Sequence, residues 1–290
     1  MNMNWFIFAL ISFFGWSIGD IFGAVVSKKI GEFSATFWQL IVGFIASSLL
    51  VPLAITDLRH MTLSLMLLNL LLGALFIIGL VTFNKGLRIG SPARVGTITA
   101  SFSAVTAIIS FFVFHEQITV WQLLALIVIF SGIILSGLKN KIGSRKKYRL
   151  AIRGTWLAIT TMVLWGIYYA FIKIPSQYIG WFWPQYITLS LVLVIWWIIR
   201  FKKIKIRSVL SKGAFWSILL NGILVAVGEY SFNYAVVRNA SVVVAPIAGS
   251  YPVLYVLLAF FVFKDKLSRM QFFGIIINLL GIVWLAYLSS

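Results

Sequence analysis

The sequence has no cysteine, only two histidines and only six acidic residues in 290. Without thiols there is neither a disulfide framework nor a thiolate metal site. His60 and His115 fall in different predicted loops, which disfavours a histidine metal cluster or proton relay, and no metal or cofactor is expected. A phosphate-cradling glycine loop with its lysine is missing too, which disfavours an ATP-driven pump. Charged residues make up 10% of the chain, whereas a soluble domain carries about 25%. A water-soluble globule of this composition could not cover its surface with polar groups. Met1 to Phe8 lack the basic stretch and small-residue cleavage site of a secretory signal, so the first apolar run is expected to stay as a span.

What fills the chain is apolar: 61% hydrophobic residues and a mean hydropathy of +1.03. Its length has room for about ten helical spans of roughly 20 residues with short connections. Almost nothing is left for a soluble catalytic module, so an enzyme is not expected. Apolar runs between charge clusters predict an all-α integral membrane protein with spans near 4–26, 34–56, 64–86, 92–114, 119–138, 151–173, 181–200, 213–237, 240–263 and 268–288. Pro52, Pro92, Pro175 and Pro184 sit at predicted ends, as a residue without an N–H donor should. Pro246 and Pro252 fall inside the ninth span, which is therefore expected to kink or unwind.

The net charge of +18 would suggest nucleic acid in a soluble protein. Its placement points elsewhere: the odd-numbered connections between spans sum to +19 and the even-numbered ones to +1. The positive-inside rule then puts the basic loops 139–153 and 200–212 in the cytoplasm and both termini outside a cytoplasmic membrane. The basic runs set topology and touch anionic lipid heads; nucleic acid is not an expected partner.

Sliding the sequence on itself by 149 residues aligns 83–133 with 232–282 without a gap. Phe83-Asn84 meets Phe232-Asn233, Phe111 to Phe114 meets Phe260 to Phe263, Gln122 meets Gln271 and Gly132 meets Gly281. The same offset matches Trp16 with Trp165, Phe22 with Phe171, Gly73 with Gly222 and Gly79 with Gly228. One register over four helices marks a duplication: a first five-helix repeat over 1–138, a basic linker over 139–150 and a second repeat over 151–290. Five spans per half make the repeat inverted, an architecture that supports alternating access about a site near the bilayer midplane.

Each half resembles an EamA-type unit of the drug/metabolite transporter superfamily. The resemblance rests on Trp16-Ser17 and Trp165-Gly166 in the first helix of each half, on the runs ending Phe-His-Glu116 and Phe-Lys-Asp265, and on Gln122 or Gln271 before a glycine-containing fifth helix. It implies a ten-helix carrier of small organic solutes, often an exporter of amino acids or related metabolites, with helices five and ten peripheral. The basic residue frequent in the second helix of such units is here Gln39 and Gln185, which argues against an anionic substrate. Ser103 stands where the ninth span has Pro252, and many relatives are drawn with their termini inside.

Two carboxylates, Asp20 and Glu229, fall well inside predicted spans, where a charge costs about 2.5–3.5 kcal/mol on insertion scales. Each is expected to face the bundle interior, where it binds a coupling proton or a substrate ammonium, or else neutralises an internal base such as Lys173. Gly15, Gly19 and Gly23 lie on one helix face and predict close packing. Trp16, Trp165, Tyr168, Tyr169, Tyr230, Tyr234, Tyr251 and Tyr255 are candidates for lining a cavity that stacks on a solute. Asn84 and Asn233, equivalent by the repeat, either hydrogen-bond a substrate or bridge helices. Glu116 and Asp265 are expected at the amino ends of helices five and ten.

The function these features favour is a secondary carrier of a small organic metabolite, an amino acid or related solute, with export as a candidate direction and a proton as candidate coupling ion. A lipid flippase, a scaffold and a membrane-embedded lipid enzyme are the alternatives, and monomer and homodimer both stay open.

Overall fold

The computed structural model describes residues 4–90, 92–137, 145–210, 213–263 and 268–289, all of them helical or in short connections. The first half contains α1 (Asn4–Ile30), α2 (Glu32–Ser48), the short α3 (Val51–Ala54) with a following 3-10 turn (Ile55–His60), α4 (Leu63–Ile89), α5 (Pro92–Ala100), α6 (Phe102–Val113) and α7 (Val120–Gly137). The second half contains α8 (Arg145–Phe171), α9 (Lys173–Ile179), α10 (Trp183–Ser190), α11 (Val192–Phe201), α12 (Phe215–Arg238), α13 (Ser241–Gly249), α14 (Tyr251–Phe263) and α15 (Arg269–Leu288). Among the described residues, eight helical segments are long and apolar enough to cross a membrane, and up to nine if the bent pair Glu32–Ser48 and Val51–His60 is one span. Val120–Leu135, where the fifth span is expected, is apolar but shorter.

Several spans are broken, the second and fourth where continuous helices are expected and the ninth where its prolines predict a kink. The second bends by 65° after Ser48. The ninth divides at Ser250, two residues before Pro252, whose ring and missing N–H take it out of the ladder to Ala248. The fourth divides at Ser101, the repeat equivalent of Ser250, although no proline follows it. There Ser103 Oγ donates to the Ala100 carbonyl at 2.8 Å. The sixth span starts early: α8 begins at Arg145, inside the segment read as a linker, while residues 138–144 lie outside the described ones.

Gly31 before α2 and its equivalent Gly180 after α9 have φ of 87° and 75°. Both sit at the turn into the second long segment of their half, in a conformation glycine adopts without strain.

The halves interlock through equivalent helices. α1 packs on α12, α8 on α4 and α7 on α15. Glycines make the approach possible, because a Cβ on Gly15 would stand 2.7 Å from the Leu224 carbonyl oxygen and one on Gly19 2.8 Å from Val225 Cγ2. Trp16 lies over Gly228, 2.6 Å from where its Cβ would be, and Trp165 lies over Gly79 in the same way. Gly222 meets Val42 while Gly73 meets Leu191, again a repeat-related set. With little room between backbones, dispersion and interhelical hydrogen bonds hold the bundle.

Candidate functional site

The packing of α1 on α12 brings Asp20 and Glu229 to the same buried cavity. Trp16 and Asp20 are one turn apart on α1, Trp165 and Tyr169 on α8, Phe76 and Leu80 on α4, Val225 and Glu229 on α12; Phe102 and Tyr251 come from just beyond the two helix breaks, and Gln39 comes from α2. Ten of these eleven residues form five sets under the 149-residue offset: Trp16 with Trp165, Asp20 with Tyr169, Phe76 with Val225, Leu80 with Glu229, Phe102 with Tyr251. The cavity lies on the pseudosymmetry of the fold, and its acids are where the symmetry fails.

Tyr169 Oη donates to Glu229 Oε1 at 2.6 Å. Glu229 Oε2, Trp16 Nε1 and Tyr251 Oη are buried without a hydrogen-bond partner among the described residues. Trp165, by contrast, donates from Nε1 to the Phe76 carbonyl at 3.1 Å. Asp20 is 8% exposed, with no hydrogen bond or ion pair among the described residues. The rings close round the acids: Trp16 stands 5.2 Å from Tyr169, 6.0 Å from Phe102 and 5.9 Å from Tyr251. The space open to water centres is about 10 Å³, roughly the room one water needs. This is a closed conformation, too tight for an organic solute.

Seven expected site residues therefore share the cavity: Trp16, Asp20, Gln39, Trp165, Tyr169, Glu229 and Tyr251. Tyr168, Tyr234 and Tyr255 do not line it, and nor do four others. Tyr230 stacks on Phe182 at 5.2 Å and 7°. Gln185 accepts from Tyr168 Oη at 3.0 Å. Asn84 bridges helices, accepting from Ser27 Oγ at 2.8 Å and donating to Thr36 Oγ1 at 3.0 Å. Asn233 donates to the Trp181 carbonyl at 3.3 Å. Phe76, Leu80, Phe102 and Val225 were not singled out in the sequence. The offset was their available signal, since Leu80 and Phe102 are the equivalents of Glu229 and Tyr251.

Lys173 does not neutralise either cavity acid; it pairs with Glu116, with side chains 17% and 8% exposed. Glu116 itself was expected at the amino end of the fifth helix, and instead its Oε2 accepts from Val242 N at 2.9 Å, at the start of α13. The fifth helix is capped by reciprocal bonds between Thr119 and Gln122, as α15 is by Ser268 and Gln271. Asp265 lies outside the described residues. A second ion pair, Arg88 with Glu32 at 2.8 Å, ties α4 to α2. Lys85 and Arg153 line one surface cleft, so the carboxyl end of α4 lies beside the early part of α8. Arg88–Glu32 thus sits at that end of the bundle and Lys173–Glu116 at the other.

Apolar helices enclosing a polar, two-carboxylate cavity define a multi-pass membrane protein. The EamA-like transporter family matches residues 3–138 and 152–287, and the chain belongs to that family. It is a membrane transporter of the drug/metabolite type, and members of this family are transporters rather than enzymes. A chain in a solved crystal structure is similar in fold, with a TM-score of 0.74 at 15% identity, covering 98% of this chain and 96% of that one. A search of curated protein sequences finds no match.

Proposed function

We propose that this protein is a secondary carrier that moves a small organic solute across the cytoplasmic membrane by alternating access, with Glu229 as the proton-binding group. The ten helical stretches would act as two inverted five-helix halves, 1–138 and 151–290, with the loops 139–153 and 200–212 in the cytoplasm and the termini outside. One observation carries the proposal: Asp20 from one half and Glu229 from the other open into one cavity whose walls are five repeat-related sets of residues. A site built symmetrically from both halves is what exchange between inward- and outward-open forms requires.

The closed state supports the same reading. Arg88–Glu32 and Lys173–Glu116 tie helices together at opposite ends of the bundle, and the cavity between them has room for about one water. A solute enters only when one end opens. A buried carboxylate also needs a proton or a cation beside it, and Glu229 has the Tyr169 hydroxyl at 2.6 Å and no ion pair among the described residues. A proton that leaves when solute arrives would couple the two movements.

The test is transport in proteoliposomes holding a pH-sensitive dye, challenged with amino acids, amines, sugars and purines, for the wild type and Glu229→Gln. Solute-driven proton movement that the variant loses supports the proposal. Solute movement without protons leaves the carrier and removes the role of Glu229; lipid movement alone replaces the carrier with a flippase.

A further inference from the structure

The charge balance of the cavity says more about the solute than that it is organic. Its walls include two carboxylates, and among the described residues no lysine, arginine or histidine lines it. Two cations nearer the ends of the bundle are paired elsewhere, Arg88 with Glu32 and Lys173 with Glu116. Inside, Asp20 has no hydrogen bond or ion pair among the described residues, and Glu229 Oε2 is buried without a partner. The cavity thus holds two carboxyl groups in an apolar space with no side-chain cation lining it among the described residues, so that either protons or an incoming cation must cancel their charge.

The walls suit one kind of guest. Trp16, Phe102, Tyr169 and Tyr251 form a group of rings with centroid separations of 4.5–6.0 Å along the Trp16 and Phe102 contacts. Aromatic faces attract a cation most strongly when water is excluded. A cationic nitrogen pairs by charge with the two carboxylates, a protonated amine also donating hydrogen bonds to them, while the hydrocarbon part lies against the rings. A zwitterionic amino acid brings a carboxylate as well, which meets two acids and no cation. A neutral alcohol brings no charge to replace the protons on the acids and so gains nothing from them.

Resting on the carrier reading above, we propose that the solute is an organic amine that enters as a cation and carries no carboxylate of its own. Asp20 and Glu229 hold its ammonium group, the rings hold its apolar part, and the Gln39 side chain lies at the edge of the same site. The amine takes the place of the protons that otherwise cancel the charge of the acids, so cation and proton occupy the site in turn.

Four ligands with one phenyl ring separate the possibilities: phenethylamine, its N,N,N-trimethyl analogue, phenylalanine and 2-phenylethanol. Binding is measured by calorimetry on the purified full-length protein in detergent, and counterflow of the membrane-impermeant trimethyl analogue and of phenylalanine is measured in proteoliposomes. The expected result is that the two cations bind at least about tenfold more tightly than phenylalanine and the alcohol. Glu229→Gln and Asp20→Asn, both close in shape to the wild type, each weaken the cations at least about tenfold and leave the alcohol unchanged. Phenylalanine or the alcohol binding as well as the cations, or no binding by any of the four, overturns the inference. If phenylalanine moves in counterflow and the cation does not, the carrier stands and the amine falls. Cation binding without movement of either solute keeps the amine and removes the carrier.

Discussion

Tyr169 holds in the second half the position that Asp20 holds in the first, and its hydroxyl donates to Glu229 at 2.6 Å. The duplication has thus turned one acid position into a donor for the other acid.

Removing that donor takes away the one short hydrogen bond that Glu229 makes among the described residues. Tyr169→Phe is expected to lower stability by about 1–2 kcal/mol and to change the proton movement that accompanies solute. Thermal unfolding in detergent and the pH-dye assay check the two parts separately, and unchanged proton movement would mean that the Tyr169 hydroxyl is structural only.

The tryptophans over Gly79 and Gly228 permit a symmetric pair of substitutions. Gly79→Ala and Gly228→Ala each force an indole aside and are expected to cost about 1–3 kcal/mol. Combining Gly79→Ala with Trp165→Phe should recover part of the loss, with a coupling of at least about 0.5 kcal/mol in a double-mutant cycle. Strict additivity would show that the ring and the glycine are not in contact.

Asn84 and Asn233 occupy equivalent positions but are used unequally. Asn84 makes two side-chain hydrogen bonds, whereas Asn233 makes one long bond and its Oδ1 is buried without a partner. Asn84→Ala is expected to cost about 1–3 kcal/mol and Asn233→Ala less than about 1 kcal/mol. Melting temperatures of the two variants give the order, and a larger drop for Asn233→Ala contradicts it.

Glu116 meets both Lys173 and the backbone N–H of Val242. Glu116→Gln is expected to destabilise by about 1–3 kcal/mol because it strands a mostly buried ammonium. Lys173→Met added to it should restore most of the loss, a result read from the unfolding temperature of the double variant; no recovery would mean that the capped N–H, not the ion pair, carries the effect.

The chain has no native cysteine, so single cysteines report topology without background. Ser144→Cys should react with an impermeant maleimide only from the cytoplasmic side and Ser290→Cys only from outside. Labelling of both from one side would refute the odd number of spans in the second half.

Much of the fold was legible because its signals are long: apolar runs, one-sided loop charge and a constant 149-residue offset. The break in the ninth span followed from Pro252. Its partner at Ser101 did not, because serine carries no such steric signature and the interruption there is tertiary, set against the second half. The cavity was partly legible. Asp20 and Glu229 stand out as intramembrane acids, and Trp16, Trp165 and the tyrosines as polar-tipped rings. Phe76, Leu80, Phe102 and Val225 look like any apolar span residue until helix packing selects which face is inward. Glu116 is not readable as it stands, because its carboxylate is taken by Lys173 and by the start of α13, both remote in sequence.

The breaks at Ser101 and Ser250 lie against one another, with Gly249 so close that a Cβ there would stand 2.6 Å from Ser103 Cβ. Where only a small serine side chain stands against a glycine, few side-chain rotamers have to reset when one segment turns on the other. The crossing therefore has the form of a pivot, and the ion pairs at the two ends of the bundle lie far out on its arms, where a small rotation at the centre becomes a large displacement.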